Sequence, residues 1–177
     1  RAPAGWWLLG ALRDAVSIKV PVTTRCGFGT ADRFDELLGI FAKHAIDCLT
    51  VHGRAVREGY RSEVHYDFIA RAVEAVRCPV LANGNVSSAR KAAEVLQSTG
   101  ARGIMIGRGA IRTPWIFHQI RQQRRGEALF VPSGHDLLRY LRVLYATTSS
   151  PRTREEDQVH RMTRFRNCDW LGVGTDE

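Results

Sequence analysis

The sequence predicts an α/β protein built on a parallel sheet, and three observations carry the prediction. Four short apolar runs recur between Val20 and about Ile120, each run closes on a polar or glycine-containing junction, and helical stripes fill the intervals between them. The runs are Val20-Pro-Val-Thr-Thr24, Cys48-Leu-Thr-Val-His52, Pro79-Val-Leu-Ala-Asn83 and Gly103-Ile-Met-Ile-Gly107. Each is five residues long and largely apolar, and each reads as a buried strand.

After the first run, Phe34, Leu37, Leu38, Phe41, Ala42 and Ala45 fall at i, i+3, i+4, i+7, i+8 and i+11, one continuous stripe for packing on a sheet, with Asp32 as its candidate N-cap. Ile69, Ala72, Val73 and Val76 carry a second helix. Ala89, Ala92, Ala93 and Leu96 carry a third, capped by Ser87 or Ser88. Thr113-Pro114-Trp115 opens a fourth, with Thr as N-cap and Pro at the first helical position, where no amide hydrogen is needed.

Past Arg121 the alternation stops. A linker, Arg124-Arg-Gly-Glu and then Val131-Pro-Ser-Gly, leads into a helix with Leu137, Leu138, Leu141, Leu144 and Tyr145 on one face, and a charged helical segment follows from Arg152 to Phe165. Four βα units are half of a (β/α)8 barrel, which takes about 250 residues, whereas roughly 120 are present before the helical segments begin. A doubly wound sheet is the competing architecture, but Cys26-Gly-Phe-Gly-Thr does not complete its G-x-G-x-x-G phosphate loop. The expected fold is therefore the C-terminal half of a TIM barrel over residues 1–122, followed by a partial all-helical domain over residues 123–177.

Composition narrows the function classes. The 177 residues hold 26 Lys plus Arg against 18 Asp plus Glu, a formal charge of +8, and 23 of the 26 are Arg, whose planar fork suits phosphate oxygens. No apolar run approaches the roughly 18 residues a membrane span needs, so no membrane partner is expected. The start, Arg1-Ala-Pro-Ala-Gly-Trp-Trp-Leu-Leu-Gly, is no signal peptide and lacks Met, and the chain reads as a piece of a longer one. Cys26, Cys48, Cys78 and Cys168 are far apart with no His at metal-ligand spacing, so no metal is expected and a reducing, cytoplasmic compartment fits.

In parallel α/β folds chemistry gathers just past the carboxyl ends of the strands. That places Arg25, His52 to Arg54, Asn83 to Asn85, and Gly107 to Gly109 among the informative residues. Asn83-Gly84-Asn85 and Gly107-Arg108-Gly109 follow consecutive strands. Glycine there lets amide N–H groups approach a phosphate that Arg108 would clamp, although turn geometry alone also accounts for each glycine. If the strand continues, His52 and Arg54 point to one side and present an imidazole and a guanidinium to a planar anion; the alternative for His52 is a histidine satisfied by its neighbours. Cys26 has no neighbouring base in the sequence and is assigned no chemistry.

Taken together, Pro21-Val-Thr-Thr-Arg25, Leu49-Thr-Val-His-Gly-Arg54 with Tyr60, Pro79-Val-Leu-Ala-Asn-Gly-Asn85, Gly103-Ile-Met-Ile-Gly-Arg-Gly-Ala110 and Pro114-Trp-Ile-Phe117 resemble the tRNA-dihydrouridine synthases. The likeness covers about residues 18–122 and extends more weakly through Val159-His-Arg-Met-Thr-Arg-Phe-Arg-Asn167, which resembles the start of that family's RNA-binding helical domain. The resemblance implies an FMN enzyme that uses NADPH to reduce the C5–C6 bond of uridines in tRNA. It implies flavin contacts from Arg25, His52, Asn83, Gly84, Asn85, Gly107 and Arg108, and substrate contacts from Arg54, Arg161, Arg164 and Arg166. The family's proton-donating cysteine lies in a Gly-Cys-Pro motif that this sequence does not contain, so no catalytic residue is assigned, and the N-terminal half of the barrel is expected to be missing. Two other readings compete: a phosphate-binding barrel fragment acting on a small metabolite, and a non-catalytic RNA-binding remnant, for which residues 121–166 supply 10 Arg against 5 acids.

Overall fold

The computed structural model describes residues 5–59, 62–149, 154 and 156–160. The order of elements is α1 (Gly5–Ala15), β1 (Pro21–Arg25), α2 (Phe34–Lys43), β2 (Cys48–His52), α3 (Tyr66–Ala75), β3 (Val80–Asn83), α4 (Ala89–Thr99), β4 (Gly103–Met105), α5 (Arg108–Arg112), α6 (Ile116–Arg124) and α7 (Gly134–Thr148). All four strands are parallel and lie in chain order, β1-β2-β3-β4, so the predicted α/β fold with a parallel sheet is present. The described chain divides into two compact units. One holds the four strands, up to Val86 and again from Lys91 to Ile106; the other holds Ser87–Arg90 and the chain from Gly107 onward.

In the first unit β2 is buried on both faces: Leu49 and Val51 have no exposed surface and Thr50 very little, as expected of an inner strand of a parallel sheet. Helices α2 and α3 cover the sheet with Phe34, Leu38, Ile40 and Phe41 and with Ile69 and Ala72. They meet through an edge-to-face contact of Phe34 on Phe68 at 5.4 Å and through an Arg71–Asp35 ion pair. At the amino end of the sheet Asp47 accepts hydrogen bonds from the Val20 amide at 2.7 Å and from Arg13 at 2.9 Å.

Several expectations need correction. Asp32 does not cap α2; Arg33 holds the cap position without a side-chain bond, and Asp32 accepts the Thr30 hydroxyl at 2.7 Å. The α2 stripe includes Ile40 and omits Ala42, which is exposed within the helix, and Ala45, which lies past its end at Lys43 and is exposed. On α4 the buried positions after Ala89 are Ala92, Val95 and Thr99, while Ala93 is exposed. The final strand stops at Met105, the helix predicted from Thr113 begins at Ile116 as α6, and a short α5 that the sequence did not announce precedes it and closes at Thr113. A turn carried by the Ile116 amide on the Thr113 carbonyl, 3.0 Å, takes the place of the Pro-led first turn. Helix α1 has no counterpart in the sequence reading; Trp7, Leu8 and Leu12 are exposed along it, so no clean amphipathic stripe announces it.

In the second unit the predicted linker is tied to α6. Gln122 accepts the Phe130 amide at 2.8 Å, Gln119 donates to the Phe130 carbonyl at 2.9 Å, and Trp115 lies against both Phe130 and Tyr140. Ser133 and Asp136 form a reciprocal capping box that starts α7. Of the charged segment after Arg152, residues 156–160 are helical; Arg161, Arg164 and Arg166 lie outside the described residues, as does Tyr60.

Candidate functional site

The register of the sheet places the strand-end residues side by side. Arg25 pairs with His52, His52 with Asn83 and Asn83 with Met105, so a guanidinium, an imidazole and an amide stand on adjacent strands about 4.8 Å apart at one carboxyl edge. All three are partly exposed. Arg25 Nη1 donates to the Ala55 carbonyl at 3.1 Å, and Asn83 Nδ2 donates to the Met105 carbonyl at 2.8 Å, which holds its amide plane across the gap to β4.

The turn after β3 is shaped from outside its own sequence. Gly84 has φ +135° and Asn85 has φ +46°, both in the region that favours glycine and, among the others, asparagine. A Cβ on Gly84 would lie 2.8 Å from Val64 Cγ1, and a Cβ on Gly53 would lie 2.9 Å from the same atom, so the buried Val64 is wedged between two glycine backbones. The Tyr66 hydroxyl donates to the Gly84 carbonyl at 2.8 Å, and burial raises the phenol's pKa, which keeps that proton in place. Gly84 thus serves close packing, whereas an added Cβ on Gly107 would meet nothing within 4 Å.

Arg54 departs from its expected role. The strand ends at His52, the Arg54 amide folds back on the His52 carbonyl at 2.8 Å, and the side chain turns inward with 1% of its surface exposed. Its Nε and Nη2 donate to the Ser62 carbonyl and Nη1 reaches Asn85 Oδ1 at 3.4 Å. Three of its N–H groups are thus engaged by Ser62 and Asn85 inside the fold, and Arg54 braces the Asn85 turn.

Several hydrogen bonds tie the described part of the loop between β2 and α3. The Gly53 amide bonds the Asn83 carbonyl at 3.2 Å and the His65 amide bonds the Gly53 carbonyl at 2.7 Å. Glu58 accepts from the Ala55 amide and pairs with His65 Nε2 at 2.8 Å; the bond to His65 and then that from Ala55 hold its carboxyl below the usual range. Cys26, directly past β1, is 1% exposed, and burial followed by the charge of Glu58 pushes its thiol up, away from a reactive thiolate. Sequence reading missed Ser62, Val64, Tyr66 and the Glu58–His65 pair, since their partners are residues brought near only by folding. The pair of glycines Gly53 and Gly84 was the available signal, because both face one buried side chain.

No group of three or more potential ligands able to hold a metal occurs among the described residues, and no helix among them is long and apolar enough to cross a membrane.

Comparison with known proteins places this architecture. A family model described as dihydrouridine synthase matches residues 7–163. A tRNA-dihydrouridine synthase B of Pseudomonas putida is 38% identical over 145 residues, which cover 78% of this chain and 43% of the relative. A tRNA-dihydrouridine synthase B of Vibrio vulnificus is 43% identical over 117 residues, 64% of this chain and 35% of the relative. A probable tRNA-dihydrouridine synthase of Rickettsia prowazekii is 40% identical over 107 residues, 59% of this chain and 33% of the relative. The chain spans less than half the length of these curated relatives. With the family model matched along most of its length, the chain belongs to the dihydrouridine synthase family.

Proposed function

We propose that this chain carries part of the flavin-binding and tRNA-binding machinery of a cytoplasmic tRNA-dihydrouridine synthase, its four βα units corresponding to half of a (β/α)8 barrel and its later helices to part of an RNA-binding domain. The observation that carries the reading is the row Arg25–His52–Asn83 along the carboxyl edge of the sheet, in a chain whose relatives act on tRNA by their names.

The donor set suits FMN. A planar heterocycle with alternating donors and acceptors along its edge matches a cation, an imidazole and a clamped amide on successive strands. Bound there and reduced by NADPH, FMN would supply the hydride that, together with a proton, saturates the C5–C6 bond of a uridine. In this reading Arg25, His52 and Asn83 orient the ring and the Gly84–Asn85 turn keeps a fixed shape beside them; the sequence and its family resemblance alone assign the phosphate to Gly107 and Arg108. Arg161, Arg164 and Arg166 contribute phosphate contacts to tRNA. Proton delivery to the uracil is not assigned to any residue of this chain: the Gly-Cys-Pro motif is absent from it and Cys26 is buried.

FMN titrated into the 177-residue chain and followed by flavin fluorescence tests the reading. Saturable binding is expected, and Arg108→Ala should weaken it by about tenfold or more through loss of a charge-assisted contact of about 1.5–3 kcal/mol. His52→Ala should weaken it with the fold intact. Absence of saturable binding, or affinity untouched by both substitutions, overturns the flavin assignment.

A further inference from the structure

Beyond the strand-end row, the loops after β1 and β2 build a second feature that the flavin reading does not use. Phe28 is 65% exposed, and the Arg57 guanidinium lies 5.0 Å from the centroid of its ring. Exposed aromatic side chains are common singly; this one is held. The Val56 amide donates to the Gly27 carbonyl and the Arg57 amide to the Phe28 carbonyl, both at 2.9 Å, so the two loops run bonded together at the pair. The turn beneath is equally constrained, since a Cβ on Gly27 would sit 1.8 Å from the Thr30 carbonyl oxygen.

Charge and space agree. Arg33 nearby is tied to Glu36 at 2.6 Å, whereas Arg57 forms no ion pair among the described residues and keeps its cation for another partner. An open groove of about 500 Å³ adjoins the ring, with Phe28, Gly29, Thr30, Arg33 and Leu37 in its wall. Cys26 and Gly27 connect the pair directly to Arg25, the first residue of the strand-end row.

We propose that Phe28 and Arg57 form a stacking platform for an unpaired nucleobase of the RNA strand, with Arg57 also contacting a phosphate. This rests on the tRNA reading above and adds to it a contact made by the sheet-bearing unit. An aromatic face accepts any base, because every base presents a π surface, and a cation already on the ring adds attraction for the adjoining phosphate. The platform therefore supplies affinity with little sequence preference, next to the row where one base is to be presented.

Binding of an unmodified tRNA transcript and of a short oligouridine to the 177-residue chain, measured by fluorescence anisotropy across a salt series, tests this. Phe28→Ala should weaken binding of both by about 5- to 100-fold while leaving the dependence on salt unchanged, since stacking releases no counterions. Phe28→Trp should restore affinity, and Arg57→Gln should flatten the logarithmic salt slope by about 0.7–0.9, one phosphate contact. Wild-type affinity in Phe28→Ala overturns the platform and leaves the tRNA reading standing. Loss in Phe28→Ala that Phe28→Trp does not repair marks a loop-shape role and also overturns it. A wild-type chain that binds neither RNA overturns the platform and the tRNA reading together.

Discussion

Helices α2 and α3 reach the same secondary structure as α7 by opposite means. Neither α2 nor α3 has a side-chain cap, yet they bury Phe34, Leu38, Ile40 and Phe41, and Ile69 and Ala72, respectively. The 15-residue α7 buries no residue, and leaves Leu138, Val143 and Tyr145 about half exposed, but starts from a complete Ser133–Asp136 capping box. Isolated helices of this length are marginal in water, so each needs a second source of stability. In α2 and α3 it is burial against the sheet; in α7 it is the satisfied amino terminus together with half-buried contacts such as Tyr140 on Trp115.

Substitutions can break this contrast. The largest effect belongs to Phe34→Ala, which removes a side chain 1% exposed and its contact with Phe68; about 3–5 kcal/mol should be lost, read as a lowered urea midpoint. In α7 the counterpart Val143→Ala, at a position 55% exposed, should stay within about 0.5 kcal/mol. Equal effects at the two positions would erase the distinction.

Arg54→Ala comes next. It strands the Ser62 carbonyl and releases Asn85, and the loss should be about 1.5–3 kcal/mol with faster amide exchange confined to the loops after β2 and β3. Arg54→Lys should recover only part, since an ammonium lacks the fork that spans Ser62 and Asn85. Ser133→Ala should cost about 0.5–2 kcal/mol, with loss of exchange protection in the first turn of α7 and none in the sheet.

The smallest effect concerns pH. Glu58 is held below the ordinary value of 4.5 by His65 and the Ala55 amide, so its contribution is present above that value and disappears as pH falls through the lowered one. Glu58→Gln should flatten the acid limb of the stability profile below about pH 4.5 and change little at neutral pH. An unaltered acid limb would show that the carboxylate does not hold the loop.

Legibility in the sequence followed the range of the forces involved. The β2 run was read with its observed ends because Leu49, Thr50 and Val51 are all buried, which leaves a short run of apolar and β-branched residues bounded by His52. The α7 helix was legible because its apolar stripe is local, whereas its Ser133 cap was read as part of the linker. Asp32 misled because a cap residue is recognised by type, whereas its carboxylate was taken by the Thr30 hydroxyl two residues away. Arg54 misled for a related reason: alternation predicts a side only while the strand continues, and this strand ends at His52.

Composition and periodicity were enough to determine a parallel α/β sheet and its four strands, because apolar runs and their spacing are properties of neighbouring residues, and the strings at the strand ends carried the resemblance to the family. Tertiary structure alone decided that Arg25, His52 and Asn83 stand in one register, that Val64 fits between Gly53 and Gly84, and that Arg54 serves the fold. Those outcomes depend on contacts between residues 8 to 31 positions apart, such as Arg54 with Ser62 and with Asn85. Such pairs leave no periodic trace along the chain, since each partner's type is set by the shape and polarity of a segment that only folding brings beside it.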